Sequence, residues 1–384
     1  MSQPQADIVT QAVPPATPGE PPRLRRLQLA TSLALLATVG GIWLALDVLA
    51  RRHQEAFVAN AQAQWKRING RYYHTAGLHD TVDYVMLEDL PRGRYDLGGA
   101  YYIGGSNMMT AVNPWVLDPP IRQLVHNWAL PGANHQQQFL FLRYMVEQEG
   151  ILRAGGDKNL VVLGACYGLA ADVSQNENKR VLSSSFAKQG LYDFDLDSGL
   201  RRIQCHPLER WLRIEKFRCA VFVRRMLARA GLMKDRTLEG FAPALPPDGE
   251  TYRKYWIDYM GPDWQANMDR QVEILREMIR YLRQRGVHMV VVQTPVAGWH
   301  KGLPYVEAYA ERLHRVCGEE EVRLMDLSGL LNDTHWADSS HPNYAGSVLL
   351  HDRIIPLATD HLRRLGLIDD AQARRCLLGQ GQSP

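Results

Sequence analysis

Residues Tyr101–Thr110 read YYIGGSNMMT. The run Gly98–Ile103 has the look of a buried strand, and Gly104-Gly105-Ser106 closes it with the small residues a tight turn uses. Ser106 is then either a turn residue behind the strand or a nucleophile displayed at its carboxyl end. The choice depends on what kind of sheet the strand belongs to and on what else the chain supplies.

Working outward, strands and helices alternate. Gln123–Ala129 (QLVHNWA) reads as a second strand, and His135–Gln148 as a helix with Phe139, Leu142 and Val146 on one face. Leu160–Leu163 (LVVL) is a third strand. A helix follows over Trp264–Arg285, with Met268, Val272, Leu275, Ile279 and Leu282 on one stripe and Gly286 as its stop. Val287–Gln293 (VHMVVVQ) is a fourth strand, apolar throughout as buried parallel strands are. Tyr305–Val316 is helical, Val322–Met325 is a fifth strand, and Ala345–Leu365 is a closing helical segment that Pro356 should kink or split.

This order implies an α/β fold, a three-layer sandwich around a mostly parallel five-stranded sheet of flavodoxin-like type. Ligands of such sheets bind beyond the carboxyl ends of the strands. Ser106, the loop Leu130-Pro131-Gly132-Ala133-Asn134, the segment Gly164-Ala165-Cys166-Tyr167 and Thr294-Pro295 all stand there. Residues 170–260 interrupt the alternation with a polar and then a basic, aromatic stretch (HPLERWLRIEKFRCAVFVRRML). They read as an insertion over part of the sheet edge, either a substrate-binding cap or a helical excursion that only packs.

The bulk composition narrows the function. Hydrophobic content of 46% and charged content of 22% are ordinary for a globular protein. A net charge of +3, with no long Lys/Arg block, argues against nucleic acid as a partner. Five cysteines form no CxxC pair, which argues against a zinc ribbon or a thioredoxin-like site. Cys205 and Cys219 are spaced for a local bridge, with buried free thiols as the other reading. No Gly-rich phosphate loop follows any strand, so no cofactor is expected.

The amino-terminal end separates from the rest. Residues 1–26 are rich in Pro, Gln, Ala and Thr and end in Arg23, Arg25 and Arg26, as a disordered cytoplasmic tail would. Leu27–Leu46 (LQLATSLALLATVGGIWLAL) carries no charge. About twenty helical residues span a bilayer core, so residues 27–50 read as an uncleaved transmembrane anchor. Arg51 and Arg52 flank the far end, so the charge rule favours a cytoplasmic amino terminus only slightly. A stalk over 51–96 and a large domain over 97–384 would then lie outside a bacterial inner membrane, in a periplasm-like space.

A serine nucleophile needs a base, and the base needs an orienting acid. Asp338-Ser339-Ser340-His341 follows the fifth strand, and an Asp three residues before a His can sit on one side of a turn with it. His335 lies near Asp333 and Asp338, but it lacks the DxxH spacing. These histidines and acids show no usual metal-ligand spacing, and no metal is expected.

With these blocks in place the chain resembles the SGNH/GDSL hydrolase superfamily. Gly104-Gly105-Ser106-Asn107 matches the first block, with Ser106 as nucleophile. Val125–Asn134 matches the second, with Gly132 at the oxyanion position, and Asp338 with His341 matches the last. Gly105 replaces the acid of Gly-Asp-Ser. After LVVL the family offers Gly-x-Asn-Asp; here Cys166 stands where that Asn is expected. One oxyanion donor is therefore unassigned, with Asn134 or a backbone N–H near Tyr167 as candidates. The resemblance extends to an anchored branch acting in D-alanyl transfer to teichoic acids and in alginate-type O-acetylation. It implies acyl transfer or ester hydrolysis on a cell-surface glycan, beside a multi-spanning acyl donor protein in the membrane. The departures at Gly105 and Cys166 leave open a binding module that has lost its chemistry.

Overall fold

The computed structural model describes residues 22–71, 81–171, 190–195, 199–233 and 243–379. The chain divides into two compact units, 1–51 and 52–384. Its strands are β1 (Gly99–Ile103), β2 (Val125–Asn127), β3 (Asn159–Ala165), β4 (Tyr192–Asp195), β5 (Gly199–Arg202), β6 (His288–Gln293) and β7 (Arg323–Asp326). Its longer helices, with the short one after β1, are α1 (Pro22–Ile68), α2 (Ser106–Ala111), α3 (His135–Glu147), α4 (Pro207–Arg229), α5 (Gly249–Met260), α6 (Trp264–Arg283), α7 (Pro304–Glu319) and α8 (Tyr344–Arg364).

Five strands pair in the order β2-β1-β3-β6-β7, all parallel. That is the order of flavodoxin-type doubly wound sheets. Alternate side chains along each strand feed opposite faces. Tyr101, Ile103, Val161, Leu163 and Val291 enter one core, which α3, α6 and α7 close. Ala100, Tyr102, Leu160, Val162 and Val292 enter the other, which α2 and α8 close. The stripe Met268, Val272, Leu275, Ile279 and Leu282 of α6 is buried, and Gly286 beyond its end has φ +70°. Ile103 pairs with Leu163, Tyr102 with Asn127 and Ala165 with Gln293, so the carboxyl ends of β1, β2, β3 and β6 lie at one edge.

Several expectations change. Pro356 does not split the last helix; α8 runs unbroken through it. Leu350, Ile354, Ile355, Ala358 and Leu362 are all buried, which holds both halves on the sheet. The stretch 51–96 is not a spacer. Val58, Ala61 and Trp65 of α1 are buried, and so are Tyr84, Val85, Leu87 and Tyr95, which join the first core. Its polar appearance came from residues such as Asp83 and Asp89, which are themselves buried. Residues 72–80 of that stretch lie outside the described residues.

Among the described residues no helix is long and apolar enough to cross a membrane, so the span expected over 27–50 is not supplied by the structure. The stretch is helical, but α1 runs on through Arg51 and Arg52 to Ile68. The side chains of residues 43, 46, 47 and 50 lie outside the described residues, as does most of the expected tail, residues 1–21. Of the expected insertion 170–260, residues 172–189, 196–198 and 234–242 lie outside them. The remainder forms the antiparallel pair β4–β5, α4 and α5.

Candidate active site

The nucleophile candidate stands where β1 turns into α2. Gly105 is the extended residue before the helix, and Ser106, half-buried, is the first helical residue. A Cβ on Gly104 would lie 3.1 Å from the carbonyl oxygen of Gly164 and 3.2 Å from its Cα. Only a bare backbone lets the ends of β1 and β3 close to this distance with Met108 packed between them. A Cβ on Gly105 would meet Leu169 Cδ2 at 2.7 Å, so a larger residue there requires the end of the Leu169 side chain to shift.

The loop after β2 is tied to the same corner by the Leu130 N–H, which donates to Gly104 O at 2.8 Å. Gly132 has φ +68°, the left-handed backbone that glycine adopts without strain. Asn134 has a structural task in this corner. It caps α3: its Oδ1 accepts from Gln137 N–H at 3.0 Å, while its own N–H donates to Gln137 Oε1 at 3.2 Å. The capping box satisfies helix-end groups that would otherwise be orphaned, and it keeps Asn134 buried.

The acid–base loop leaves β7 and returns into α8. Trp336 bridges Pro342, and Ala337 N–H donates to His341 O at 2.8 Å, closing a tight loop around residues 338–340. His341 Nδ1 lies 2.8 Å from Asp338 Oδ1 and 2.9 Å from Oδ2. Asp338 also accepts from Ser340 N–H at 3.0 Å, His341 N–H at 2.9 Å and Arg71 Nη1 at 2.9 Å. Burial alone would raise its pKa. The hydrogen bond and charge of His341 and the two backbone N–H groups outweigh burial and hold the carboxyl well below the usual carboxylate range. Asp338 is therefore ionised at neutral pH and orients the imidazole through Nδ1. His335 is occupied elsewhere: its Nδ1 accepts from Asn332 N–H at 3.2 Å in a capping turn.

A cleft of about 250 Å³ opens at this edge of the sheet. Its lining includes Asn107 beside Ser106, Ser340 beside His341, Cys166 and Tyr167 after β3, Trp256 of α5, and His300. The blocks carrying Ser106, Cys166 and His341 thus converge on one cavity. Cys166 and Tyr167 line it themselves, whereas Ser106, His341, Asp338, Gly105, Gly132 and Asn134 are not among its lining residues; Asn107 and Ser340 represent the serine and histidine blocks there. Burial pushes the Cys166 thiol up, against the backbone N–H groups of Leu169 and Gly168 and the side chain of Thr294. The thiol is protonated at neutral pH and is a weak donor where an amide is expected. Tyr167 Oη lies 2.7 Å from His300 Nδ1, so its side chain is committed to the wall of the cleft.

Four participants escaped the sequence reading. Arg71 pairs with Asp338 across 267 positions, with no local signal. Asn107 adjoins the serine. His300 follows β6 just after Thr294-Pro295, at a strand end where ligand contacts are expected. Trp256 belongs to the aromatic run YRKYWIDYM of α5.

A second carboxylate–imidazole pair lies in the core. His126 Nδ1 is 2.7 Å from Asp89 Oδ2, and Trp128 Nε1 donates to the same oxygen at 2.6 Å. Arg92 pairs with Oδ1. The His126 ring packs against both Tyr95 and Tyr101, with centroids at 5.1 and 5.2 Å.

None of the five cysteines is in a disulfide, so Cys205 and Cys219 form no bridge. Among the described residues no group of three or more His, Cys, Asp or Glu is placed to hold a metal ion. No protein-family model, curated protein or solved structure matches the chain.

Proposed function

We propose that the chain is an SGNH-type serine acyltransferase or ester hydrolase, anchored in a bacterial inner membrane, that modifies a cell-surface glycan on the extracytoplasmic side. The observation that carries this reading is the Asp338–His341 pair, with its 2.8 Å contact and ionised carboxylate, beside a cleft that also reaches the neighbour of Ser106. The place of that cleft, beyond the carboxyl ends of a parallel sheet, supports it further.

In this mechanism Ser106 Oγ attacks an acyl carbonyl carbon while His341 takes the hydroxyl proton. Asp338 holds the imidazole in the required tautomer and stabilises the imidazolium. The backbone N–H groups of Ser106 and Gly132 receive the oxyanion. Collapse expels the leaving group, which takes the proton back from His341. A glycan hydroxyl or water, deprotonated by His341, then attacks the acyl-serine ester and restores Ser106. The anchor rests on the uncharged run 27–46 between arginine clusters. The acyl donor, a multi-spanning membrane protein, rests on the resemblance.

Cys166 favours a second reading, a catalytically weak or inactive module that binds a glycan or the donor protein. Loss of one oxyanion donor costs about 100- to 1000-fold in rate. Fluorophosphonate labelling of the full chain, read by peptide mapping, separates the two. A Ser106 adduct that vanishes in Ser106→Ala and drops sharply in His341→Ala supports the enzyme; a folded chain without adduct supports the module.

A further inference from the structure

The cleft holds polar atoms that the triad does not use. Asn107 Oδ1, Trp256 Nε1, His300 Nε2 and Trp336 Nε1 are buried and have no hydrogen-bond partner. All four residues line the cleft. Buried polar groups in folded proteins are normally paired, and leaving one unpaired is costly. Their concentration around one cavity points to a ligand that completes them.

The walls define that ligand's chemistry. They are aromatic: Tyr167 and Trp256 meet edge-on with centroids 5.1 Å apart, and Trp256 and His300 do so at 5.4 Å. Among the described residues the lining contains no Lys, Arg, Asp or Glu. Burial and the nearby Arg253 lower the His300 pKa to about 3, so its ring is neutral through the physiological range. Arg253 itself donates to the carbonyls of Lys301 and Gly302 at 3.0 and 3.3 Å. A hydrocarbon chain would leave four polar atoms unsatisfied. A carboxylate or phosphate would be buried with no cation among the described lining residues to meet it. An uncharged sugar ring fits both features, because its hydroxyls donate and accept while its C–H faces pack on aromatic rings.

We propose that this cleft is a subsite for one uncharged pyranose ring, with Asn107 accepting from a ring hydroxyl and Trp256, His300 and Trp336 completing the polar contacts. The subsite rests on the acyl-transfer reading for its role, as the seat of the acceptor. It differs from the alginate-type case that the resemblance implies, because an alginate ring carries a carboxylate. It also gives the insertion a purpose, since α5 brings Trp256 to the site.

The test is saturation-transfer NMR on the full chain. The neutral probes are the methyl pyranosides of glucose, mannose and galactose; methyl glucuronide and hexanoate are the charged-ring and acyl-chain probes. We expect saturation of at least one neutral pyranoside, weaker transfer to the other two classes, and binding about tenfold weaker in Trp256→Ala and Asn107→Leu. Trp256→Phe keeps the aromatic face and loses the indole N–H, and should weaken binding less than Trp256→Ala does. The subsite is overturned if no neutral pyranoside binds, if glucuronide or hexanoate binds better, or if Trp256→Phe and Trp256→Ala, both shown folded by near-ultraviolet circular dichroism, bind like the parent. Fluorophosphonate labelling of the unaltered chain reports separately on the nucleophile. A labelled chain that binds no pyranoside loses the subsite and keeps the hydrolase; an unlabelled chain that binds one does the reverse.

Discussion

Two carboxylate–imidazole pairs occupy this molecule, and their contacts are nearly identical. Asp89 and His126 meet at 2.7 Å, Asp338 and His341 at 2.8 Å. Their surroundings differ. The first pair is 0% and 1% exposed, and Arg92, Trp128 and two tyrosine rings enclose it. The second is 15% and 16% exposed, and backbone N–H groups and Arg71 fix its carboxylate at the edge of a cleft. A short Asp–His contact therefore does not by itself identify a catalytic base. Access does: a proton can be exchanged at the rim and not in the core. The core pair satisfies a buried charge, and its value is structural.

The comparison breaks most visibly at Asp338. Asp338→Asn should slow fluorophosphonate labelling of Ser106, read per folded molecule, by about 10⁴-fold, the scale for loss of the orienting acid in a serine triad, with a smaller fall in the urea midpoint than Asp89→Ala causes. Unchanged labelling per folded molecule would make the rim pair structural too. Asp89→Ala should do the opposite. It leaves His126 and Arg92 buried without their carboxylate, at a cost of about 3–5 kcal/mol in urea unfolding, while the labelling rate per folded molecule stays the same. A labelling loss in that variant would tie the core pair to the chemistry.

The smallest effect is in pH. Burial lowers the pKa of His135 from 6.5 to about 3. Its stabilising contribution is complete above about pH 6.5 and is lost as pH falls through about 3, because the unfolded chain takes up the proton first. For Asp89, burial raises the pKa, but His126, Arg92 and Trp128 prevail and lower it from 3.8 to about 2. Its contribution is complete above about pH 4 and is lost as pH falls through about 2. Urea midpoints against pH should therefore decline in two stages. His135→Gln should shrink the first stage, to which His300 also contributes, and Asp89→Ala only the second, to which Asp338 also contributes.

What could be read in advance follows the range of the interaction. The strands at 99–103, 159–165 and 288–293 are continuous apolar runs, and the α6 stripe has a helical period; both are local patterns. The Asp338–His341 contact was legible for the same reason, since only three positions separate its partners. Asp89 and His126 are 37 positions apart, and Arg71 and Asp338 are 267 apart, so no window of sequence contains either pair. Asn134 misled because a buried amide looks alike as a cap and as a donor; only the reciprocal bonds with Gln137 tell them apart. Residues 81–95 misled because Asp83 and Asp89 are buried, the latter paired with His126 and Arg92.

The clasp between the end of α1 and the acid loop bears on where the chain can be cut. Trp65 packs edge-on against Tyr344 at 4.9 Å, Asn69 Oδ1 accepts from Ala345 N–H at 3.0 Å, and Arg71 reaches Asp338. A fragment that opens at residue 97, where the alternating pattern starts, discards all three contacts together with Asp89 and Arg92. A piece that keeps these contacts begins upstream of Val58, and the last turns of α1 belong to the same packed body as the sheet.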